Sequence, residues 1–124
     1  MTYELNQVKQ SSEELRNNLE QFWGTEHYFT NPLVKYKYTD GVKYFAEHAG
    51  AYWLLQEING LYVKLGCPVF LNIVVKSNKK KADIIVDDGN DKVLIKKHIG
   101  FTDLPEGDWQ FFLMNNVLMV PSEY

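Results

Sequence analysis

Two periodicities divide the chain. Up to residue 66 apolar positions recur at helical spacing, and from residue 69 they alternate or run together as strands do. The first ten residues are polar with scattered apolar positions (Tyr3, Leu5, Val8), enough for a frayed end or one added turn. Ser11 followed by Glu14 is a capping-box arrangement. Leu15, Leu19 and Phe22 then share one helix face, and Gly24 is a natural stop. Residues 25–37 contain Asn31-Pro32, a turn signal, and read as an irregular or partly extended connection.

Residues 38–58, YTDGVKYFAEHAGAYWLLQEI, are the densest apolar stretch. Asp40 is placed to cap a helix beginning at Gly41, with Val42, Phe45, Ala46 and Ala49 on one face. Gly50 breaks it. Trp53, Leu54, Ile58 and Leu61 continue as a second helix, closed by Gly60 and Gly66-Cys67-Pro68. The strand-like segments are VFLNIVVK (69–76), ADIIVD (82–87), KVLIKKHI (92–99), WQFFLM (109–114) and VLMVP (117–121). Turn clusters separate them: residues 77–80, Asp88-Gly89-Asn90, and Asn115-Asn116 as a tight two-residue turn. The pattern predicts an α+β fold over one domain, residues 1–124. N-terminal helices pack on one face of an antiparallel β-meander of about five strands.

Strand alternation assigns the faces. With Val69, Leu71, Ile73 and Val75 toward the helices, Phe70, Asn72, Val74 and Lys76 point away. Ile84 and Val86 point in and Ile85 out. Val93, Ile95 and Ile99 point in, and Leu94 points out with Lys96 and His98. The far face then carries Phe70, Val74, Ile85, Leu94 and Lys96, a mixed apolar and charged candidate interface. A partner protein, a second copy, or a loop or the N-terminal segment of the same chain would each cover it.

Composition narrows the roles. Aromatics reach 15%, an excess that serves either a core or a binding face. The net charge of −3 is no footprint for nucleic acid. The one basic run, Lys79, Lys80 and Lys81, is the candidate basic patch, with Tyr36 and Tyr38 as conceivable stacking platforms. A solvated hairpin tip is the alternative for it. A single cysteine excludes an internal disulfide. The start lacks an apolar signal-peptide core, and no apolar run has membrane-spanning length. The expectation is a cytoplasmic protein.

Catalytic patterns fail one by one. Glu47-His48 lacks the second histidine of a helical zinc site, since Tyr52 stands where it is needed, and His48 reads as a surface residue. His27, His48, Cys67 and His98 lack zinc-motif spacing. The run DDGND (87–91) has the wrong spacing for an EF-hand loop. Cys67 has no neighbouring base, and no phosphate-binding glycine motif is present. The sequence therefore assigns no catalytic, metal or cofactor-binding residue and calls for no cofactor.

The segment Thr39-Asp40-Gly41-Val42 through Tyr52-Trp53-Leu54-Leu55, the later Phe101-Thr102-Asp103-Leu104-Pro105, and the ending Val120-Pro121-Ser122-Glu123-Tyr124 resemble a family of small bacterial proteins of unknown function. The family pattern runs T-E-G-V-x-x-L-A-E-x-x-G-x-Y-W-L-L-D-x-I. The resemblance covers most of residues 27–124 and departs mildly at Asp40, Phe45 and Gln56. It implies kinship of fold and a setting in bacteria, phages and mobile elements, and it implies no catalytic residue. The reading of the chain is a non-enzymatic protein-binding module directed at a host or viral protein, as an inhibitor or anti-defence factor. Two alternatives stand beside it. One is a small-ligand binder or enzyme that gathers His27, His98 or Asp103. The other is a nucleic-acid binder through the Lys79–Lys81 hairpin.

Overall fold

The computed structural model describes residues 11–22 and 27–124. The first ten residues and the Gly24 stop lie outside the described residues. Helix α1 (Ser12–Leu19) starts where the capping box places it: the Ser11 hydroxyl accepts from the Glu14 N–H at 3.3 Å. Helix α2 (Asp40–His48) begins one residue earlier than expected. Thr39, not Asp40, is its cap, accepting from the Val42 N–H at 3.4 Å. Gly50, with φ 64°, supplies the left-handed step that ends α2, and the Ala51 N–H closes on the Ala46 carbonyl at 2.8 Å.

Helix α3 (Tyr52–Lys64) ends in the same way. Gly66 has φ 84° and the Cys67 N–H returns to the Tyr62 carbonyl. Gly60 does not close this helix. It sits inside it, and the helix runs on for another turn.

The sheet has seven strands among the described residues, not about five. Two short ones form from the segment read as a connection: β1 (Tyr28–Phe29) and β2 (Lys37–Thr39). The expected meander follows as β3 (Phe70–Asn78), β4 (Lys81–Asp87), β5 (Val93–Ile99), β6 (Gly107–Met114) and β7 (Val117–Met119). The spatial order is β1-β2-β7-β6-β3-β4-β5. Every pairing is antiparallel except β2 with β7. The β6–β7 hairpin turns at Asn115-Asn116, both at positive φ as the sequence required. Asn116 also recruits β2: its carbonyl accepts from the Lys37 N–H at 2.9 Å, and its amide donates to the Lys35 carbonyl at 3.1 Å.

The helices cover one face of this sheet. Leu71, Ile73 and Val75 of β3 and Ile84 and Val86 of β4 are buried, as alternation predicted, and so are Phe111 and Leu113 of β6; Val69, expected inward, precedes the strand and is exposed. Phe45 of α2 meets Phe111 edge-on at 5.1 Å and Trp109 at 5.4 Å between ring centroids. Tyr36 is buried too, its hydroxyl donating to the Leu55 carbonyl at 2.6 Å. Trp53 is half-buried at the margin of this core.

A 3₁₀ turn (Pro121–Glu123) then folds back onto the start of α2. One Glu123 oxygen accepts from the Thr39 hydroxyl at 2.6 Å and the Val120 N–H at 3.1 Å, and the other accepts from the Gly41 N–H at 3.1 Å. The carboxylate thus sits on free N–H groups at a helix N-terminus, where negative charge is favoured. A Cβ on Gly41 would lie 2.6 Å from Glu123 Oε1 and 2.7 Å from Val120 Cγ2, so only glycine lets the turn approach. The Thr-Asp-Gly-Val and Val-Pro-Ser-Glu-Tyr motifs are therefore two halves of one contact.

Two outcomes follow. Glu123→Ala is expected to cost roughly 2 kcal/mol or more in urea denaturation, and Gly41→Ala about 1–3 kcal/mol. The double variant should lose less than the sum, because both changes break one contact. Burial pushes the Tyr36 hydroxyl pKa far up, with Tyr38 adding to it. The neutral phenol is the folded form, so its stabilisation is complete below the ordinary tyrosine value near ~10 and declines as pH rises above it. An alkaline absorbance titration should leave this phenol un-ionised until circular dichroism reports unfolding. Tyr36→Phe should remove that late step at a cost of about 1 kcal/mol.

Candidate interface on the open sheet face

No helix among the described residues covers the second face of the sheet. Its side chains fall into rows set by strand register. Gln110, Val74, Ile85 and Lys96 form one row across β6, β3, β4 and β5. Asp108, Lys76, Asp83 and His98 form the next, alternating in charge, with His98 Nδ1 2.8 Å from Asp83 Oδ1. On the other side Phe112, Asn72 and Asp87 form a row, and side-chain amides join Asn72 to Gln110 and to Asp87. Gln110 donates to Asn72 at 2.8 Å, and Asn72 donates to Asp87 at 3.0 Å. Gln110, Asn72 and Asp87, and His98 with Asp83, are thus tied to one another around Val74 and Ile85.

The apolar end lies beyond Asn72. Phe70 and Phe112 approach at 5.7 Å, and Tyr124 stands over both at 6.3 and 4.7 Å. Tyr124 is 67% exposed, so this cluster presents an aromatic surface to solvent. Beside it Met114, Val117, Met119 and Tyr28 surround an open hollow of about 330 Å³. The hairpin at Gly89 packs on Phe70, where a Cβ would come within 2.7 Å of the ring. A loop does cover part of the face, and at Phe70 it leaves the ring half-buried.

The structure brings Phe70, Val74, Ile85 and Lys96 to this face and places Leu94 elsewhere. Between β4 and β5 the register slips: Val86 pairs with Ile95, but Asp87 pairs with Val93. Leu94 is the extra residue of a bulge and packs against the core. Val93, expected inward, shares the row of Asp87 and is 50% exposed. Sequence reasoning missed Phe112, Met114 and Tyr124. The first two were available from alternation, since Gln110 marks the outward phase of β6. Tyr124 reaches the face only because Glu123 fixes the preceding turn.

The other candidate groups do not assemble. His27 lies beside Asp40, 3.5 Å from its carboxylate, next to edge strand β1. His98 is on β5, the opposite edge. Cys67 is exposed. His48 is half-buried, not a free surface residue, and its ring stacks on Tyr44 at 4.0 Å. Among the described residues no three His, Cys, Asp or Glu side chains come together to hold a metal ion. No described helix is long and apolar enough to cross a membrane.

Lys79 and Lys80 form the tip between β3 and β4, both at positive φ, and Lys81 opens β4. All three are exposed. Tyr36 and Tyr38 are no platform for them. Both are buried, and β2 lies four strands away from β4.

A family model matches residues 13–124: DUF6876, a family of unknown function. No curated protein and no solved structure matches the chain.

The Lys79-Lys80 backbone is one that asparagine and glycine adopt more readily. Lys79→Asn with Lys80→Gly should therefore raise stability by about 0.5–1.5 kcal/mol in thermal or urea unfolding. A loss of stability would mean that the lysine side chains contribute to the fold.

Proposed function

Since the chain belongs to DUF6876, a family of unknown function, we propose its role from surface geometry alone: a non-enzymatic module that docks onto a partner protein, host or viral, through the open sheet face. One observation carries the reading. A sheet with helices on one side displays on the other a band that runs from Val74 and Ile85, across the row of Asn72, to the Phe70–Phe112–Tyr124 cluster. Aromatic residues and methionine are what the centre of a protein interface favours, and the surrounding paired charges resemble its polar rim. Tyr124 is suited to be a hot spot, being large, rigid and exposed beside two supporting rings.

A photo-crosslinking residue placed at position 110, in the middle of the band, tests this in host cells. One protein should be trapped from position 110 and not from position 47 on the exposed side of helix α2. Val74→Glu with Ile85→Glu, or Tyr124→Ala alone, should abolish the adduct while the melting curve stays cooperative. Equal trapping from positions 47 and 110, or an adduct that survives both variants, would overturn the reading.

A further inference from the structure

A second surface, which meets the open face at Lys96, carries a more specific partner. We infer that the groove between α3 and β5 takes an extended acidic segment of a partner protein as an additional strand of the sheet.

Strand β5 is the edge of the sheet, and no strand pairs with its outer side among the described residues. Register fixes which backbone groups are free. The two-residue turn at Lys79-Lys80 makes Asn78 and Lys81 a hydrogen-bonded pair. Alternation then directs the backbone of Ala82, Ile84 and Val86 to β5, where they face Ile99, Lys97 and Ile95. The N–H and C=O groups of Lys96 and His98 therefore point to the open edge. An exposed edge of this kind is a template for strand addition.

Alongside the edge runs a groove of about 590 Å³, floored by Leu61 and Ile95 and flanked by Gln56, Lys64 and Lys97. Gly60 of α3 opens onto it. A glycine inside a helix costs about 1 kcal/mol relative to alanine. Here it makes no turn, and a Cβ at this position would meet nothing within 4 Å. No contact among the described residues requires this glycine. What it leaves is space above the groove, where the side chain of an incoming strand fits.

Charge selects the occupant. Lys97 is held by Glu57, but Lys64 and Lys96 have no carboxylate partner among the described residues. The edge is thus basic on a chain whose net charge is −3. A second copy fits poorly, because two-fold pairing about the middle of β5 sets Lys96 against Lys96. An added strand would place apolar side chains over Gly60 and Leu61, in the row of Ile95 and Lys97. Its acidic side chains would fall in the row of Lys96. The segment recognised is therefore one of alternating apolar and acidic residues.

The test is selection of phage-displayed linear random peptides on the full chain, followed by fluorescence anisotropy with the enriched peptide. Peptides with alternating acidic and β-branched residues should be enriched. Gly60→Leu should fill the groove and weaken binding by about tenfold or more while the melting temperature holds or rises. Lys96→Pro removes one outward N–H, which an edge strand tolerates, and should weaken binding similarly. Tyr124→Ala, at the far end of the open face, should leave binding unchanged, which separates this site from that face. No acidic enrichment, or full affinity in Gly60→Leu, would overturn the inference. So would a sedimenting dimer that Lys96→Pro dissociates, since the edge would then belong to a second copy.

Discussion

The carboxylate of Glu123 at the start of α2 is the contact on which the rest of the arrangement depends. It accepts from Thr39, Gly41 and Val120 together, and so joins the cap of a helix to the turn after the last strand. Around it Thr39 closes β2, Gly41 opens α2, and Ser122 donates to the Leu19 carbonyl at 2.9 Å at the end of α1. Three helical or strand elements are thereby registered against one short turn. The same turn aims Tyr124 away from the helices and onto Phe112. An interaction that looks purely architectural therefore sets the shape of the open face.

That face and the β5 groove divide the surface by chemistry. Beside the aromatic cluster Gln110, Asn72 and Asp87 are already hydrogen-bonded to one another, so a partner there gains mainly by removing apolar area from water. The groove offers unpaired backbone and unneutralised lysine, so a partner there gains directional bonds and charge pairing. The two sites make different demands and lie on different elements, Lys96 excepted. Its side chain belongs to the open face and its backbone to the edge.

The helices and the meander were legible because each has a long, unbroken period. Leu15, Phe45, Leu54 and Ile58 announce their helices, and Leu71, Ile73 and Val75 their strand. What was hidden depended on contacts distant in sequence. Strands β1 and β2 are too short to show alternation, and β2 exists because Asn116 and β7 receive it. Thr39 displaces Asp40 as the cap because Glu123 holds its hydroxyl. The bulge at Leu94 reverses a face without any glycine to mark it. Gly60 read as a stop because glycine usually is one, and its helical backbone cannot be seen in the residue type.

The parallel pairing of β2 with β7 has a consequence for how the chain is made. Glu123, which holds the hydroxyl of the Thr39 cap of α2, lies 84 positions from it, and β2 has its principal partner only once β7 exists. On the ribosome, α1, β2 and α2 emerge long before either. The order of synthesis thus runs against the order of closure, and loop entropy must be met before these contacts return anything. The N-terminal half is committed to its place only when its distant counterpart arrives, so closure of the fold waits for residues 117–123 to be made.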